Sequence, residues 1–445
     1  MKTRMTIKIK KRTQPGWLIW LIVVMPFLFG FLNEFLGLPW AIRYLLDGAL
    51  LGLVFLGVCF HRRLELKPVK LLLGWCLLFL LYTMTVYLIE FQSPLYYVWG
   101  LRNNFRFYVA FFACCIFLKS RDLEGYFRLF DGLFWVSAAL SLYQFFILGV
   151  NGDYLGGIFG TSQGVNGYTN IFFVIVIARA LLLYLEKREK LWLCITKCVI
   201  AILVAALAEI KFFFVEAIAI FAMAILLTDF TWRKLLIIIG GVATVSLGAT
   251  ILVALFPGST GFLSADFLWN LASSDRGYTS AGDLNRLNAI PQINELWLNS
   301  WGHRLFGLGL GNCDTSNIAA LNTPFYQENG DMHYTWMSYA FMYLECGWIG
   351  LVFYYGFFVL VFLKTGGRRE GAEQINCYLA RILMVCCILM SAYNASLRME
   401  SAYMVYFVLA TPFVYEREKI VSKRKMRYAE QFAAETSVPG ESLLR

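Results

Sequence analysis

The sequence has little charge for its length. Only 15% of its 445 residues are charged and 59% are hydrophobic, whereas soluble domains carry about 25% charged residues. The mean hydropathy is correspondingly high, at +0.62. Water cannot be the main solvent of such a chain. The composition therefore excludes a soluble domain and indicates an integral membrane protein.

The chain also lacks the short motifs of several enzyme classes. It contains no Walker A sequence, no His-Glu-x-x-His and no Asp-x-Asp. Its eleven cysteines lie mostly inside apolar runs, without the paired spacing and histidine partners of a metal site. The missing Asp-x-Asp disfavours an enzyme that holds a nucleotide sugar through a metal. We expect neither a metal nor a cofactor.

The net charge of +10 comes from short clusters of lysine and arginine between apolar runs. Clusters in such places orient a membrane protein and contact anionic lipid. Membrane lipid is therefore the expected partner of these charges, and nucleic acid is not.

Apolar runs of about 16–25 residues recur along the chain, which is enough to cross a hydrocarbon core about 30 Å thick. They predict twelve membrane spans, at 17–37, 41–60, 70–90, 104–118, 127–149, 167–185, 192–208, 212–228, 235–256, 334–363, 376–393 and 400–415. Basic residues in the short connections fall on alternate sides of this arrangement. The pattern predicts an all-α polytopic protein of the cell membrane with both termini cytoplasmic.

One connection is much longer than the others. The apolar stretch 193–228 is too long for one crossing, so it must turn near Glu209 and Lys211. This leaves 257–333 as a single large extracytoplasmic loop, in which we expect short helices. The predicted organisation is a basic N-terminus (1–16) leading into a retained first helix, nine spans (17–256), the loop, three spans (334–415) and a basic cytoplasmic tail (416–445).

Basic residues are normally depleted on the outer side of a membrane, yet seven are predicted there. They are Arg102, Arg106, Lys211, Arg276, Arg286, Arg304 and Arg398. Any one of them could snorkel to the headgroups or be solvated in a loop. If they converge, they form a basic pocket whose guanidinium groups suit phosphate or carboxylate. Arg102 and Arg106 are four residues apart and would share one face of a helix.

Two outer positions carry candidate bases, each with an alternative interpretation. Glu209 and Lys211 either neutralise each other at a tight hairpin or leave Glu209 as a base. His333, before the tenth span, is either a general base near neutral pH or a helix cap.

Two outer segments are rich in glycine. One, at 156–168, brings Asn166 and Tyr168 to the start of the sixth span. The other, at 305–312, has glycine at alternate positions. That spacing permits a tight turn or a nest of backbone N–H groups for an anion.

Four segments together resemble the O-antigen polymerase and O-antigen ligase superfamily of bacterial membrane proteins. They are 157–168, Leu207-Ala-Glu209-Ile-Lys211, Asn285-Arg286 with the glycine-rich 305–311, and His333 followed by Glu345-Cys-Gly347-Trp-Ile-Gly350. The resemblance spans roughly residues 100–350. His333 lies a few residues farther upstream of the glutamate than is usual in that family.

The resemblance implies a glycosyltransferase on the outer face of the cytoplasmic membrane. It would polymerise polyprenyl-diphosphate-linked oligosaccharide repeat units of O-antigen, capsule or exopolysaccharide, independently of metal. Its partners would be that donor, a glycan acceptor, and the chain-length regulator and flippase of the pathway. The alternatives are a ligase that moves a finished glycan to a lipid or wall acceptor, and a transporter or flippase. Transporters more often have two related halves, which are not visible here.

The site implied by the resemblance has three parts. The residues expected to hold the diphosphate are Arg286, Arg102, Arg106 and Arg398. The candidate catalytic residues are His333 and Glu209. The expected supporting residues are Lys211, Arg276, Arg304, Asn166 and Tyr168.

Overall fold

A computed structural model describes residues 16–60, 65–91, 93–229, 231–262, 264, 266, 269 and 282–436. That part of the chain is helical and contains no β-strand. Nine long helices precede the large loop: α1 (Gly16–Glu34), α2 (Leu45–Phe60), α3 (Lys70–Ile89), α4 (Pro94–Phe117), α5 (Ser120–Phe146), α6 (Asn166–Leu185), α7 (Leu191–Leu207), α8 (Lys211–Leu227) and α9 (Trp232–Leu255).

The rest of the described chain has three short and three long helices. The short helices lie in the loop and are α10 (Ala289–Leu296), α11 (Trp301–Phe306) and α12 (Pro324–Asn329). The long helices are α13 (Ser338–Lys364), α14 (Gly371–Tyr393) and α15 (Ala402–Thr436). A long helix thus covers each of the twelve predicted spans.

Eight described helices are long and apolar enough to cross a membrane: α1, α2, α3, α5, α6, α9, α13 and α14. This agrees with the expected all-α membrane protein. The other four long helices are shorter or more charged: α7 and α8 have 17 residues each, α4 carries two arginines, and α15 continues into charged sequence. The count of twelve crossings and the sidedness of the connections stay predictions.

Helix α6 lies at the centre of the bundle. Its sequence is apolar on all sides, and such helices are buried. Within its span 89% of the residues are buried, packed against α7, α8, α14 and α15. By contrast, α2 and α3 are each only 28% buried and expose large apolar side chains such as Phe55 and Leu81. We expect these outer faces to contact lipid.

Helix α13 is broken at Gly347, where φ is 61° and ψ is −164°. Two carbonyl groups at the break accept hydrogen bonds from the glycine-rich part of the loop: Leu308 N–H donates to Leu344 and Gly309 N–H to Glu345. A Cβ atom on Gly347 would lie 2.3 Å from the backbone oxygen of Leu305. The glycine is therefore required for the loop to pack against the broken helix.

The same loop segment also packs against α4. A Cβ atom on Gly100 would lie 2.6 Å from the Cα atom of Gly311. Between α4 and α13 the loop encloses Glu345, whose carboxylate accepts a hydrogen bond from the N–H of Cys313 at 3.1 Å. The hydrogen-bond acceptor at this turn is thus a side chain of the protein itself. The turn holds the residues that follow it, beginning with Asp314, against α4.

The α5–α6 loop is fixed in a similar way. The side-chain amide of Gln144 pairs with both backbone groups of Gly157, at 2.9 and 2.7 Å. A Cβ atom on Gly30 of α1 would lie 2.1 Å from the backbone oxygen of Phe159. The loop thus packs closely against both α1 and α5, and these contacts fix it at the end of the bundle where α6 begins.

Candidate functional site

A cavity of about 470 Å³ lies at that end of the bundle. Its walls come from the α1–α2 connection, the first half of α4, the α5–α6 loop, the large loop and the α14–α15 connection. Each of these segments belongs to the face predicted to lie outside the membrane. We call this cavity the arginine pocket, because four arginines and only two carboxylates line it: Arg43, Arg102, Arg106, Arg398, Asp314 and Glu400.

Arg106 and Glu400 form a buried ion pair. Their charged atoms are 3.0 Å apart, and the side chains are only 5% and 6% exposed. Arg106 also donates to the backbone oxygen of Arg398, and the hydroxyl of Tyr168 donates to the second oxygen of Glu400 at 2.8 Å. The pair thus joins α4 to the α14–α15 connection and the start of α6.

Glu400 is held in its ionised form. Burial alone would raise its pKa, but the positive charges of Arg106 and Arg43 and the hydrogen bond from Tyr168 outweigh burial and lower the pKa to about 2. A carboxylate with so low a pKa is a weak base. Glu400 is therefore suited to positioning arginines rather than to accepting a proton.

Asp314 lies between α4 and Arg398. One oxygen accepts from Arg398 at 3.1 Å and the other from the side-chain amide of Asn103 at 2.7 Å. The guanidinium of Arg398 lies over the ring of Phe341, 3.2 Å from its centroid. Asp314 thus reaches the pocket with an orientation set by two other side chains.

Arg102 is held more firmly than the other arginines. Its Nε and Nη2 atoms donate to one oxygen of Asp47, at 3.0 and 2.8 Å. The rings of Trp99 and Tyr44 flank the guanidinium at 4.9 and 5.0 Å. Helix α4 begins ten residues earlier than the predicted span, so Arg102 and Arg106 do lie on one continuous helix.

Arg43 differs from the other three arginines. Among the described residues, the ion pairs of the pocket involve Arg102, Arg106 and Arg398 but not Arg43. In the same part of the chain, the Nε atoms of Arg43, Arg106 and Arg398 are buried without a hydrogen-bond partner. A buried donor without an acceptor is costly. Three guanidinium donors beside one pocket thus lack an acceptor within the described chain.

The structure places Arg286 and His333 outside the lining of this pocket. Arg286 donates to the backbone oxygen of Tyr393 at 3.0 Å and lies over the ring of that tyrosine. His333 has left-handed backbone angles and stacks on Trp336, with ring centroids 3.8 Å apart. Its neighbour Thr335 lines the pocket instead. Because α13 begins at Ser338, His333 is not a cap of that helix either.

A second polar cluster lies at the α7–α8 turn. Glu209 and Lys211 form an ion pair at 3.1 Å, which is the neutralising arrangement considered from the sequence. Asn166 donates to Asp153 at 2.8 Å and to the backbone oxygen of Ala208. None of these five residues lines the arginine pocket.

Two supporting candidates remain. Arg304 donates to the backbone oxygen of Leu298 at 3.0 Å, away from the pocket lining. Arg276 lies outside the described residues. Of the site residues predicted from the sequence, four therefore line the pocket: Arg102, Arg106, Arg398 and Tyr168.

Sequence reasoning missed three charged residues of the pocket, namely Arg43, Asp314 and Glu400. Arg43 follows the rule that identified the others, since it is a basic residue beside an outer connection, but it was counted inside the second span. Glu400 was likewise counted at the start of the last span. No sequence pattern pairs Asp314 with Arg398, which lies 84 residues away.

The described residues contain no group of three or more His, Cys, Asp or Glu side chains that could hold a metal ion. Independence of metal stays a prediction. No protein-family model matches the chain, and no curated protein matches its sequence. The resemblance to the O-antigen polymerases and ligases therefore stays an expectation from short motifs.

Proposed function

We propose that this protein is a membrane glycosyltransferase that polymerises polyprenyl-diphosphate-linked oligosaccharides on the outer face of a bacterial cytoplasmic membrane. The observation that carries the proposal is the arginine pocket. It gathers four arginines from three separate segments on one face of an apolar bundle. Since basic residues are normally depleted on that face, their convergence needs a ligand that is both lipid-linked and anionic.

The diphosphate of the donor would contact Arg43 and Arg398. Arg43 has no carboxylate to displace, and its guanidinium can hydrogen-bond phosphate oxygens in a fork geometry. Arg398 would exchange its contact with Asp314 for the second phosphate. The cavity volume of about 470 Å³ is typical of a small-molecule site. The diphosphate and adjacent sugar would occupy it, with the polyprenyl chain in the surrounding lipid.

The remaining walls of the pocket suit a sugar. Trp40 and Trp99 offer aromatic surfaces beside the arginines, and the side-chain amides of Gln163 and Asn317 offer both donors and acceptors. Sugar hydroxyl groups need both kinds of partner.

In the proposed reaction a hydroxyl of the acceptor glycan attacks the anomeric carbon of the donor sugar. The new glycosidic C–O bond forms as the bond from that carbon to the diphosphate breaks. Polyprenyl diphosphate leaves with the bonding electron pair, and fixed guanidinium groups stabilise the negative charge that develops on it. The proton of the attacking hydroxyl passes to a carboxylate of the pocket.

We assign that carboxylate to Asp314. Glu400 has a pKa of about 2 and is too weak a base, and neither His333 nor Glu209 lines the pocket. When the donor diphosphate attracts Arg398, Asp314 loses its only positively charged partner within ion-pair distance in the described chain. Its carboxylate can then contact the acceptor hydroxyl in place of Arg398.

The proposal is tested by the size profile of surface polysaccharide on gels. Cells that lack the chain would be complemented with wild type, Arg43→Gln or Arg304→Gln, each checked for membrane insertion. We expect single repeat units without the protein and with Arg43→Gln, and long chains with wild type and Arg304→Gln. Full-length glycan stranded on its carrier would indicate a ligase instead, and an unchanged profile would refute glycosyl transfer.

A further inference from the structure

A second basic cavity, of about 850 Å³, lies at the opposite end of α6 from the arginine pocket. It is formed by the α6–α7 connection, the first turns of α7 and the start of α9. By the charge pattern of the connections this end faces the cytoplasm. We call it the inner cavity. The proposed glycosyl transfer does not use it.

Four cationic side chains line the inner cavity: Lys187, Arg188, Lys190 and Arg233. None of the four is ion-paired within the described chain, and the carboxylate among the lining residues, Glu189, is held by the buried Lys197 at 2.6 Å. Arg233 donates one N–H to the backbone oxygen of Tyr184 at 2.7 Å. Its other N–H groups can still donate to a ligand. The cavity therefore has an excess of positive charge without internal compensation.

The backbone concentrates these charges at the end of α6. Lys187 has a φ of 61°, and its N–H and that of Arg188 donate to the backbone oxygens of Tyr184 and Leu183. This is the C-terminal capping geometry in which glycine is usual. Lysine in that position accepts a steric cost. The sharp turn sets two basic residues immediately beyond the last turn of the helix.

The inner cavity also has an apolar wall. Leu191, Ile195 and Leu236 form it beside the cationic groups, between α7 and α9. Ile195 and Leu236 are 41% and 47% exposed. The space deeper between the two helices is only about 20 Å³, so an acyl chain would lie along the wall and not inside the bundle.

Two exposed tryptophans mark the level of the inner cavity in the membrane. Trp192 and Trp232 are 62% and 80% exposed, and each lies within the first two residues of its helix. Tryptophan is enriched at the level of lipid headgroups. The cationic groups therefore lie at the depth of phosphate, and the apolar wall begins at the depth of acyl chains.

We propose that the inner cavity binds an anionic diacyl phospholipid of the cytoplasmic leaflet. Its phosphate contacts Lys187, Lys190 and Arg233, and one acyl chain lies along the apolar wall formed by Leu191, Ile195 and Leu236. A free phosphate would explain only the cationic half of this site. The apolar half requires a ligand with a chain attached.

Native mass spectrometry of the purified protein, titrated with phosphatidylglycerol, tests the cationic half. Each basic residue next to an anionic lipid contributes about fivefold to binding, so Lys187→Gln with Lys190→Gln should weaken phosphatidylglycerol binding about thirtyfold. The matched control is Lys423→Gln with Lys425→Gln, which removes two exposed charges of the same predicted side from α15. Equal binding by the two double variants would overturn the proposal.

Leu236→Asn tests the apolar half without changing any charge. A polar side chain in the apolar wall disfavours contact with an acyl chain, and we expect weaker phosphatidylglycerol binding with an unchanged elution volume in size-exclusion chromatography. Inorganic phosphate at millimolar concentration should not displace the lipid. Displacement by phosphate, or full lipid binding by Leu236→Asn, would show that the inner cavity is a simple anion site and would refute the phospholipid assignment.

Discussion

Arg43→Gln is the substitution that best separates binding from folding in the arginine pocket. Arg43 lines the pocket but forms none of its ion pairs within the described chain. Glu400 keeps Arg106 and Tyr168 as partners after this substitution, so the free energy of unfolding should change by no more than about 1 kcal/mol. The diphosphate of a ligand, however, loses a charge-assisted contact.

The expected loss of affinity follows from that one contact. A hydrogen bond to a charged group contributes about 1.5–3 kcal/mol, which corresponds to a dissociation constant about 10 to 150 times higher. Calorimetric titration of the protein in detergent micelles with farnesyl diphosphate measures it. Farnesol serves as the uncharged comparison ligand, and its binding should not change.

Arg304→Gln is the matched control, because it removes the same charge from the same face outside the pocket lining. It should bind farnesyl diphosphate as the wild type does. If Arg43→Gln keeps wild-type affinity, or if both variants lose affinity equally, the pocket is not the diphosphate site and the reasoning is refuted.

The remaining predictions concern the pocket's ion pairs and the break in α13. Arg106→Met should destabilise the protein by about 3–5 kcal/mol because it strands a buried carboxylate, and adding Glu400→Leu should recover much of the loss in thermal unfolding. The pKa of Glu400 is lowered from 4.5 to about 2. Its contribution to stability is therefore complete above pH 4.5 and is lost as the pH falls toward 2. The difference in Tm between wild type and Glu400→Gln should stay constant above about pH 5 and shrink below it. Asp314→Asn should abolish glycosyl transfer while farnesyl diphosphate still binds in calorimetry. Gly347→Ala should lower the yield of folded protein in size-exclusion chromatography, because this backbone conformation is essentially restricted to glycine, whereas Gly48→Ala, which meets no atom within 4 Å, should not.

The helices were largely predictable from the sequence. Lipid requires every backbone group to be paired within a helix, so apolar runs of sufficient length give helix positions directly. The predicted starts are less accurate where polar residues continue a helix beyond its apolar run. Helix α4 begins at Pro94 rather than near 104, and α15 extends to Thr436.

Three of the four arginines of the pocket were predictable for a different reason. Basic residues on the outer side violate a general bias, and Arg102, Arg106 and Arg398 were identified by that criterion alone. Their carboxylate partners were not, because Asp314 and Glu400 meet them only through tertiary packing. Neither residue lies in a pattern that distinguishes it from an ordinary loop or helix-end residue.

The glycine-rich motifs marked segments that lie beside the pocket, but the sequence explained the role of these segments only in part. The segment at 305–312 was expected to form a tight turn or bind an anion. In the structure it packs between α4 and the break at Gly347, and a side-chain oxygen of Glu345 accepts a hydrogen bond at that turn. The motif thus builds a wall of the pocket, and this role follows only from knowing which helices the loop lies between.

Glycan extension by the purified protein tests the central claim most directly. Proteoliposomes would receive a polyprenyl-diphosphate-linked repeat oligosaccharide, and the products would be separated by length. We predict a ladder of longer glycans and released polyprenyl diphosphate with wild type, and neither product with Asp314→Asn. If the wild type leaves the oligosaccharide at its original length, or moves it across the bilayer without extending it, the account of a glycosyltransferase is contradicted.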